Sequence, residues 1–181
     1  KIGAEKQFYP NYALTDFNSQ RTNLIGFDIK DFYVAVKDRK IVGVIGKWDQ
    51  RKIRQITVTG YSGTMALIKP FYNVISRIFG FSPLPEANSQ LKIFYASFIA
   101  IQNNDPGIFR ELIYGLRSDF EGKKYSHFLV GLHSRDTLLK GLENFTCIRF
   151  NSRLFAVCWQ DGEKIFKRLD ARIPYVELAT L

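Results

Sequence analysis

Residues 91–101 read LKIFYASFIAI, a run that is apolar on both faces and so belongs to a strand buried from two sides. It passes directly into Gln102-Asn103-Asn104-Asp105-Pro106-Gly107 and then into an amphipathic helix. In a phosphate-binding strand–helix unit a glycine-rich loop stands at this place and turns its backbone N–H groups toward a pyrophosphate. Here a single glycine sits beside a carboxylate and a proline. The same residues make a helix start, with Asp105 as N-cap and Pro106 in the first turn. Ile108, Leu112, Leu116 and Phe120 follow at i, i+4, i+8 and i+12, Phe109 and Ile113 widen the stripe, and Gly122 ends the helix. Residues 127–133 (HFLVGLH) form the next buried strand, parallel to the first and reached by a right-handed helical crossover.

Outward from this unit the pattern stays mixed. Residues 31–47 predict a hairpin with β-rich runs at 32–36 and 41–45 and a turn at 37–40, and residues 54–59 alternate as a third strand. Residues 64–79 carry Leu67, Phe71, Val74, Ile75, Ile78 and Phe79 at helical spacing, with Pro70 kinking or splitting the helix. Residues 81–88 are a loop with two prolines. Leu138, Leu139 and Leu142 mark a shorter helix within 134–144, and strands at 146–150 and 154–159 make a second hairpin. An Asp161-Gly162 turn, a basic connector and a short strand at 174–178 follow. Residues 1–24 are polar and irregular, a tail or short helix outside the sheet, which leaves 25–181 as the domain. The fold class is α/β (α+β): a mixed, mostly antiparallel sheet with a central parallel pair and helices on both faces.

A chain of 181 residues, 46% hydrophobic and 24% charged, supports one domain with a full core. No run approaches the roughly 20 apolar residues of a membrane span, so no membrane partner is expected. With no initiator Met and no signal-like segment, Lys1 is expected not to be the natural start. Cys147 and Cys158 imply neither a disulfide framework nor a metal cluster. A tight turn at Ser152-Arg153 would set them opposite each other, as a cross-strand disulfide or as two buried reduced thiols, and the cytoplasm is the default compartment. The net charge of +9 favours anionic partners, but the basic residues are dispersed in short clusters at turns, which disfavours nucleic acid as a partner.

Several words in the chain carry a family resemblance: Trp48-Asp49-Gln50 with Arg54-Gln55, Tyr61, Lys69-Pro70-Phe71-Tyr72-Asn73, Leu84-Pro85, Ser152-Arg153-Leu154-Phe155 and Pro174-Tyr175-Val176-Glu177-Leu178. Together with the element order over about residues 30–160, the chain resembles the GNAT (general N-acetyltransferase) superfamily. It is most similar to the C-terminal half of two-lobed bacterial proteins whose N-terminal half is an ordinary GNAT domain. That resemblance implies a gap between the central strand and its parallel neighbour, with acetyl-CoA inserted in it. Phe98, Ile99, Ala100 and Ile101 would offer backbone to the pantetheine, and Gln102, Asn103, Asn104, Gly107 and Ile108 would hold the pyrophosphate. The family loop carries two closely spaced glycines where this chain has only Gly107, and Asp105 sets a negative charge beside the phosphate position.

The resemblance further implies a Glu or a water as base for the amine and a Tyr as acid for the leaving thiolate. The central strand has no carboxylate and the last helix has no Tyr. Tyr95, Asp49 and Tyr61 are the available substitutes, each with a plainer structural reading as a packed tyrosine or a turn residue. His127 and His133 share strand parity, but about 20 Å of strand separates them, so they cannot share one site. Two functions are carried forward. One is an acyl-CoA-dependent N-acetyltransferase domain acting on a small-molecule or peptide amine, with acetyl-CoA as cofactor. The other is a non-catalytic GNAT-like lobe packed against a GNAT domain of the same longer protein or against a second copy of the chain.

Overall fold

The computed structural model describes residues 2–18, 24–79, 83–120, 125–155, 157, 159 and 162–181. Its strands are β1 (Phe32–Lys37), β2 (Lys40–Trp48), β3 (Thr57–Val58), β4 (Ser89–Gln90), β5 (Ile93–Ile101) and β6 (His127–Val130). The α-helices are α1 (Leu14–Asn18), α2 (Thr64–Phe79), α3 (Pro106–Arg117) and α4 (Glu163–Phe166). Four strands form one sheet in the order β1-β2-β5-β6, while β3 and β4 pair separately. The neighbours β1/β2 and β2/β5 are antiparallel and β5/β6 are parallel, so the class is mixed α/β with a mostly antiparallel sheet.

The hairpin turns at Asp38-Arg39, both at positive φ (49° and 60°), a backbone whose twist matches the flanking strands. β5 is the predicted double-sided strand, buried at every position but Ala100. On one face Phe94, Ala96, Ile99 and Ile101 pack with Ile45 of β2 and with Phe109, Leu112, Ile113 and Leu116 of α3. On the other, Tyr95 and Phe98 pack with Trp48 and Leu24, and Tyr12, Phe17, Phe27 and Phe32 close over them.

The face assignment along β5 breaks parity. Tyr95 and Phe98 share one face although three positions separate them, and the β2/β5 register shifts between Val44 and Gly46. The cause is Phe98, which holds φ at 55°. An extra residue in the left-handed region makes a bulge and turns the following side chains to the other face. Gly46 lies across from it, where an added Cβ would fall 2.7 Å from the Phe98 ring and 2.9 Å from Phe27.

Several expected elements take other forms. Residues 2–18 pack onto the sheet and supply Tyr9, Tyr12 and Phe17 to the clusters above. The expected strand 54–59 narrows to Thr57–Val58, and β6 stops at Val130, short of His133. The helix within 134–144 is a 3-10 helix over Thr137–Leu142. α2 runs as one helix with Pro70 inside it. The second hairpin is absent among the described residues: none of 146–155, 157 or 159 is in a strand. Ile148, Phe150, Leu154, Phe155, Val157 and Trp159 there are 62–93% exposed. β-propensity alone does not fix a strand that finds no sheet edge to join. Residues 174–178 form no strand either; Pro174 makes one isolated parallel bridge with Gln7. α3 ends at Arg117 and a 3-10 turn covers Ser118–Phe120, so the α-helix stops before the expected Gly122. Cys158 and Asp161 lie outside the described residues, so the cysteine pairing and the turn expected there do too. Cys147 is exposed.

Phe109 is fully buried between α3 and the sheet. Phe109→Ala should cost about 3–5 kcal/mol by loss of burial and creation of a cavity, read as a lower urea midpoint with an unchanged slope.

Candidate functional site

The expected cofactor slot lies along the edge of β5 beyond its pairing with β6. Pairing covers Ile93 to Ala96, opposite His127 to Val130, and then the two strands part. The edge of residues 97–101 does not stay open. The Phe98 N–H donates to Glu177 Oε2 (2.8 Å) and the Ile99 N–H to the Tyr175 hydroxyl (3.1 Å). Two successive N–H groups reach the same neighbour, which a regular strand forbids and the bulge at Phe98 permits. Tyr175 in turn donates to Glu177 Oε2 at 2.6 Å.

Residues 173–180 are held in the gap from both sides. The Gln7 N–H donates to Ile173 O (3.1 Å) and the Tyr175 N–H to Gln7 O (2.7 Å). The Tyr9 ring packs on the Tyr175 ring at 4.5 Å between centroids. Gly131, just past β6, lies against Val176 and Leu178, and Gln50 Nε2 donates to Ala179 O at 2.8 Å. The segment thus seals the splay between β5 and the chain beyond β6. On the Tyr9 side of the segment is a mostly apolar cavity of about 120 Å³, lined by Lys6, Tyr9, Ile99, Ala100, Ile101 and Asn104 among others, below the roughly 300–1,000 Å³ of small-molecule pockets. A second, more open depression of about 430 Å³ is lined by Trp48, Gln50, Ile53, Arg54, Ala179 and Thr180.

Tyrosines surround the Glu177 carboxyl group. Burial, with Glu177 beside them, pushes the hydroxyls of Tyr9 and Tyr12 up to about 12 and raises that of Tyr175 well above its usual value. All three therefore remain protonated donors through the neutral range. Glu177 Oε1 and Ser97 Oγ are buried without a hydrogen-bond partner among the described residues. Tyr175 and Glu177 were not singled out as site residues from sequence. The available signal was the strand-like alternation of residues 174–178, which sets both on one face.

The expected pyrophosphate loop is also closed. Gln102–Asn104 make one 3-10 turn, with Asn103 and Asn104 at φ 55° and 49°. Asp105 caps α3 as the sequence predicts, accepting from the N–H groups of Gly107 (2.7 Å) and Ile108 (3.3 Å). Pro106 contributes no donor. Asn104 Nδ2 donates to Asp136 Oδ1 and to Thr137 Oγ1, both at 2.7 Å, and Lys6 pairs with Asp136. The first-turn donors that could meet an anion are already used within the chain.

The three predicted catalytic residues stand apart, with no hydrogen bond linking them. Asp49 accepts from Nε and Nη2 of Arg51 (2.9 and 2.6 Å), from the Arg51 backbone N–H (3.1 Å) and from the Tyr125 hydroxyl (2.9 Å). Burial pushes its carboxyl up, but these hydrogen bonds and the Arg51 charge prevail and hold it down at about 2. At such a value it is a weak base near neutrality. Tyr61 donates to Pro85 O (2.9 Å) beside Lys69. Tyr95 is buried in the sheet opposite Trp48, with the Arg54 guanidinium 5.9 Å from its ring centroid. His127 lies beside Ser126 at the start of β6, and burial lowers its pKa. No group of three metal-ligating side chains occurs among the described residues, and no described helix is long and apolar enough to cross a membrane. Comparison with family models, curated proteins and solved structures returns no match.

Two tests bear on the seal. Glu177→Ala orphans the Phe98 N–H and should cost about 1–3 kcal/mol in the urea midpoint, whereas Glu177→Gln retains an acceptor and costs less; equal midpoints for both variants and wild type would contradict the seal. Tyr9, Tyr12, Tyr33 and Tyr125 are all raised to about 12. Unfolded tyrosines lose their protons near 10 and the folded ones near 12, so the folded state holds more protons in between. Stability should therefore be unaffected by these groups below pH 10 and fall as pH rises from about 10 to 12. The share of the tyrosinate absorbance that belongs to these four groups should appear together with the loss of circular dichroism, not ahead of it.

Proposed function

We propose that this chain is a GNAT-like lobe that performs no acyl transfer itself and serves by packing against a catalytic partner lobe. One observation carries this reading. The backbone donors that a pantetheine chain would need, at Phe98 and Ile99, are taken by Tyr175 and Glu177 of the same chain. A cofactor entering there would have to displace residues 173–180, break these bonds and expose a buried carboxyl group.

The loop supports the same reading, because Asp105 both uses the helix donors and places negative charge where a phosphate would lie. So does the separation of Asp49, Tyr61 and Tyr95, which leaves no base and acid facing one another across a cleft. An N-acetyltransferase acting on an amine would need the segment at 173–180 to swing out and Glu177 to turn from brace to base, and no hydrogen bond poises it for that.

Acetyl-CoA decides between them. At a concentration 100-fold above its Kd a ligand stabilises by about 2.7 kcal/mol, a rise of roughly 5–10 °C in Tm for a chain of this size. The expected result with acetyl-CoA at about 100 µM is no change in Tm and no heat of binding. A clear rise would overturn the proposal and restore acyl transfer as the leading reading.

A further inference from the structure

Residues 146–172, which lead into the sealing segment, lie off the body of the domain. Among the described side chains of that stretch none is buried. The backbone hydrogen bonds described there run within it: Gly162 N–H to Trp159 O (2.8 Å), Lys167 N–H to Glu163 O (3.0 Å) and Leu169 N–H to Phe166 O (3.0 Å). The ion pairs Lys167–Glu163 and Arg172–Asp170 stay within it too. Burial then resumes abruptly, with Tyr175, Glu177 and Ala179 at 7%, 6% and 3% exposure.

What holds residues 173–180 is a set of contacts that a separate peptide can make. Gln7 pairs with the backbone of residues 173 and 175, and Gln50 meets the carbonyl of Ala179. Between these backbone anchors two side chains read the edge of β5. In an extended segment, positions 175 and 177 fall on one side, about 7 Å apart. The Tyr175 hydroxyl takes the Ile99 N–H and gives its own proton to Glu177 Oε2, which also takes the Phe98 N–H. A regular strand edge offers every second N–H, and its usual partner is the backbone of another strand. The two consecutive N–H groups at the Phe98 bulge need instead two coupled side-chain oxygens. A Tyr-x-Glu sequence supplies them, and the Tyr9 ring, packed on that of Tyr175, supports the first.

We infer that the β5 edge at residues 97–101, with Gln7, Tyr9 and Gln50, is a peptide-binding groove that recognises an extended Tyr-x-Glu segment. Residues 173–180 occupy it as a tethered ligand, held by the contacts of the groove and not by membership of the sheet. The tether decides which copy of the segment is bound. A linker holds its ligand at an effective concentration on the order of 1 mM, so at micromolar protein the chain's own segment excludes any other. Once residues 146–172 are cut, that advantage disappears and the groove is open to the same sequence in trans. The inference rests on the contacts of residues 173–180 and stands whether or not acetyl-CoA binds.

Limited trypsin treatment of the full chain tests it. The first cuts should fall after Arg149, Arg153, Lys164 or Arg168, and the nicked protein should keep its far-ultraviolet circular dichroism. Its C-terminal fragment should stay with the body on gel filtration. With the protease quenched, a labelled synthetic peptide of residues 173–181 should exchange into the nicked protein at micromolar concentration. The intact chain should take it up only near 1 mM, on the order of the effective concentration of its own segment. Glu177→Ala in the peptide leaves the Phe98 N–H without an acceptor and should weaken binding about 10–100-fold. Hydrogen exchange on the intact chain gives a readout free of cutting and of variants. The Phe98, Ile99 and Tyr175 amides should exchange together, ahead of Ile113 in α3. First cuts within the sheet, unfolding on nicking, or a fragment that leaves would each overturn the inference. So would equal uptake by intact and nicked protein, a Glu177→Ala peptide that binds like its parent, or exchange of the three amides only in step with Ile113.

Discussion

Phe98 holds a backbone conformation that a bulky side chain seldom adopts, and the centre of the molecule is arranged to keep it there. The strain of a left-handed φ in a strand is on the order of 1–3 kcal/mol and persists only where the surroundings over-determine it. Here the ring stacks on Trp48 (centroids 5.5 Å apart, planes 17° apart) and meets Tyr12, Phe17, Phe27 and Phe32 at 4.6–5.6 Å. Each such aromatic contact contributes roughly 0.5–1.5 kcal/mol beyond simple burial, so the cage outweighs the strain. Gly46 gives the ring its room.

Consequences for function run from that one torsion. It sends Ile99 and Ile101 to the α3 face and presents two adjacent N–H groups at the edge where β6 ends. A strand edge with unsatisfied donors must be paired, covered or hydrated. Glu177 and Tyr175 cover this one with side chains instead of a neighbouring backbone, which is why residues 173–177 seal the gap without becoming a strand. The arrangement satisfies the edge internally and leaves little for a cofactor to gain there.

How far the sequence carries this can be judged residue by residue. α3 was legible because its signals are local: Asp105, Pro106 and the stripe at 109, 112, 113 and 116 need no knowledge of the rest of the chain. The first hairpin and the limits of α2 were legible for the same reason. The bulge was not, since nothing in IFYASFIAI announces a Phe at positive φ where glycine or asparagine is the usual occupant. The sealed slot was not legible either, because it joins residues 76 and 79 positions apart. Periodicity identified the apolar face of α2 but not that it points outward, which depends on Asn73 finding Leu84. In the described residues of 146–159 strand propensity was present and a partner strand was not.

The pairing of Gln7 with residues 173–175 also fixes an order of events during synthesis. These partners are separated by more than 160 positions, and the Lys6–Asp136 pair by 130. Contacts so distant are slow to form, because the intervening loop loses its freedom before anything compensates. While a ribosome is still translating the stretch ahead of residue 173, α3 and the β1–β2 hairpin can form, but the edge of β5 remains uncovered. The edge of β5 therefore stays uncovered until residue 177 has left the exit tunnel, and an uncovered strand edge is where wrong pairing starts.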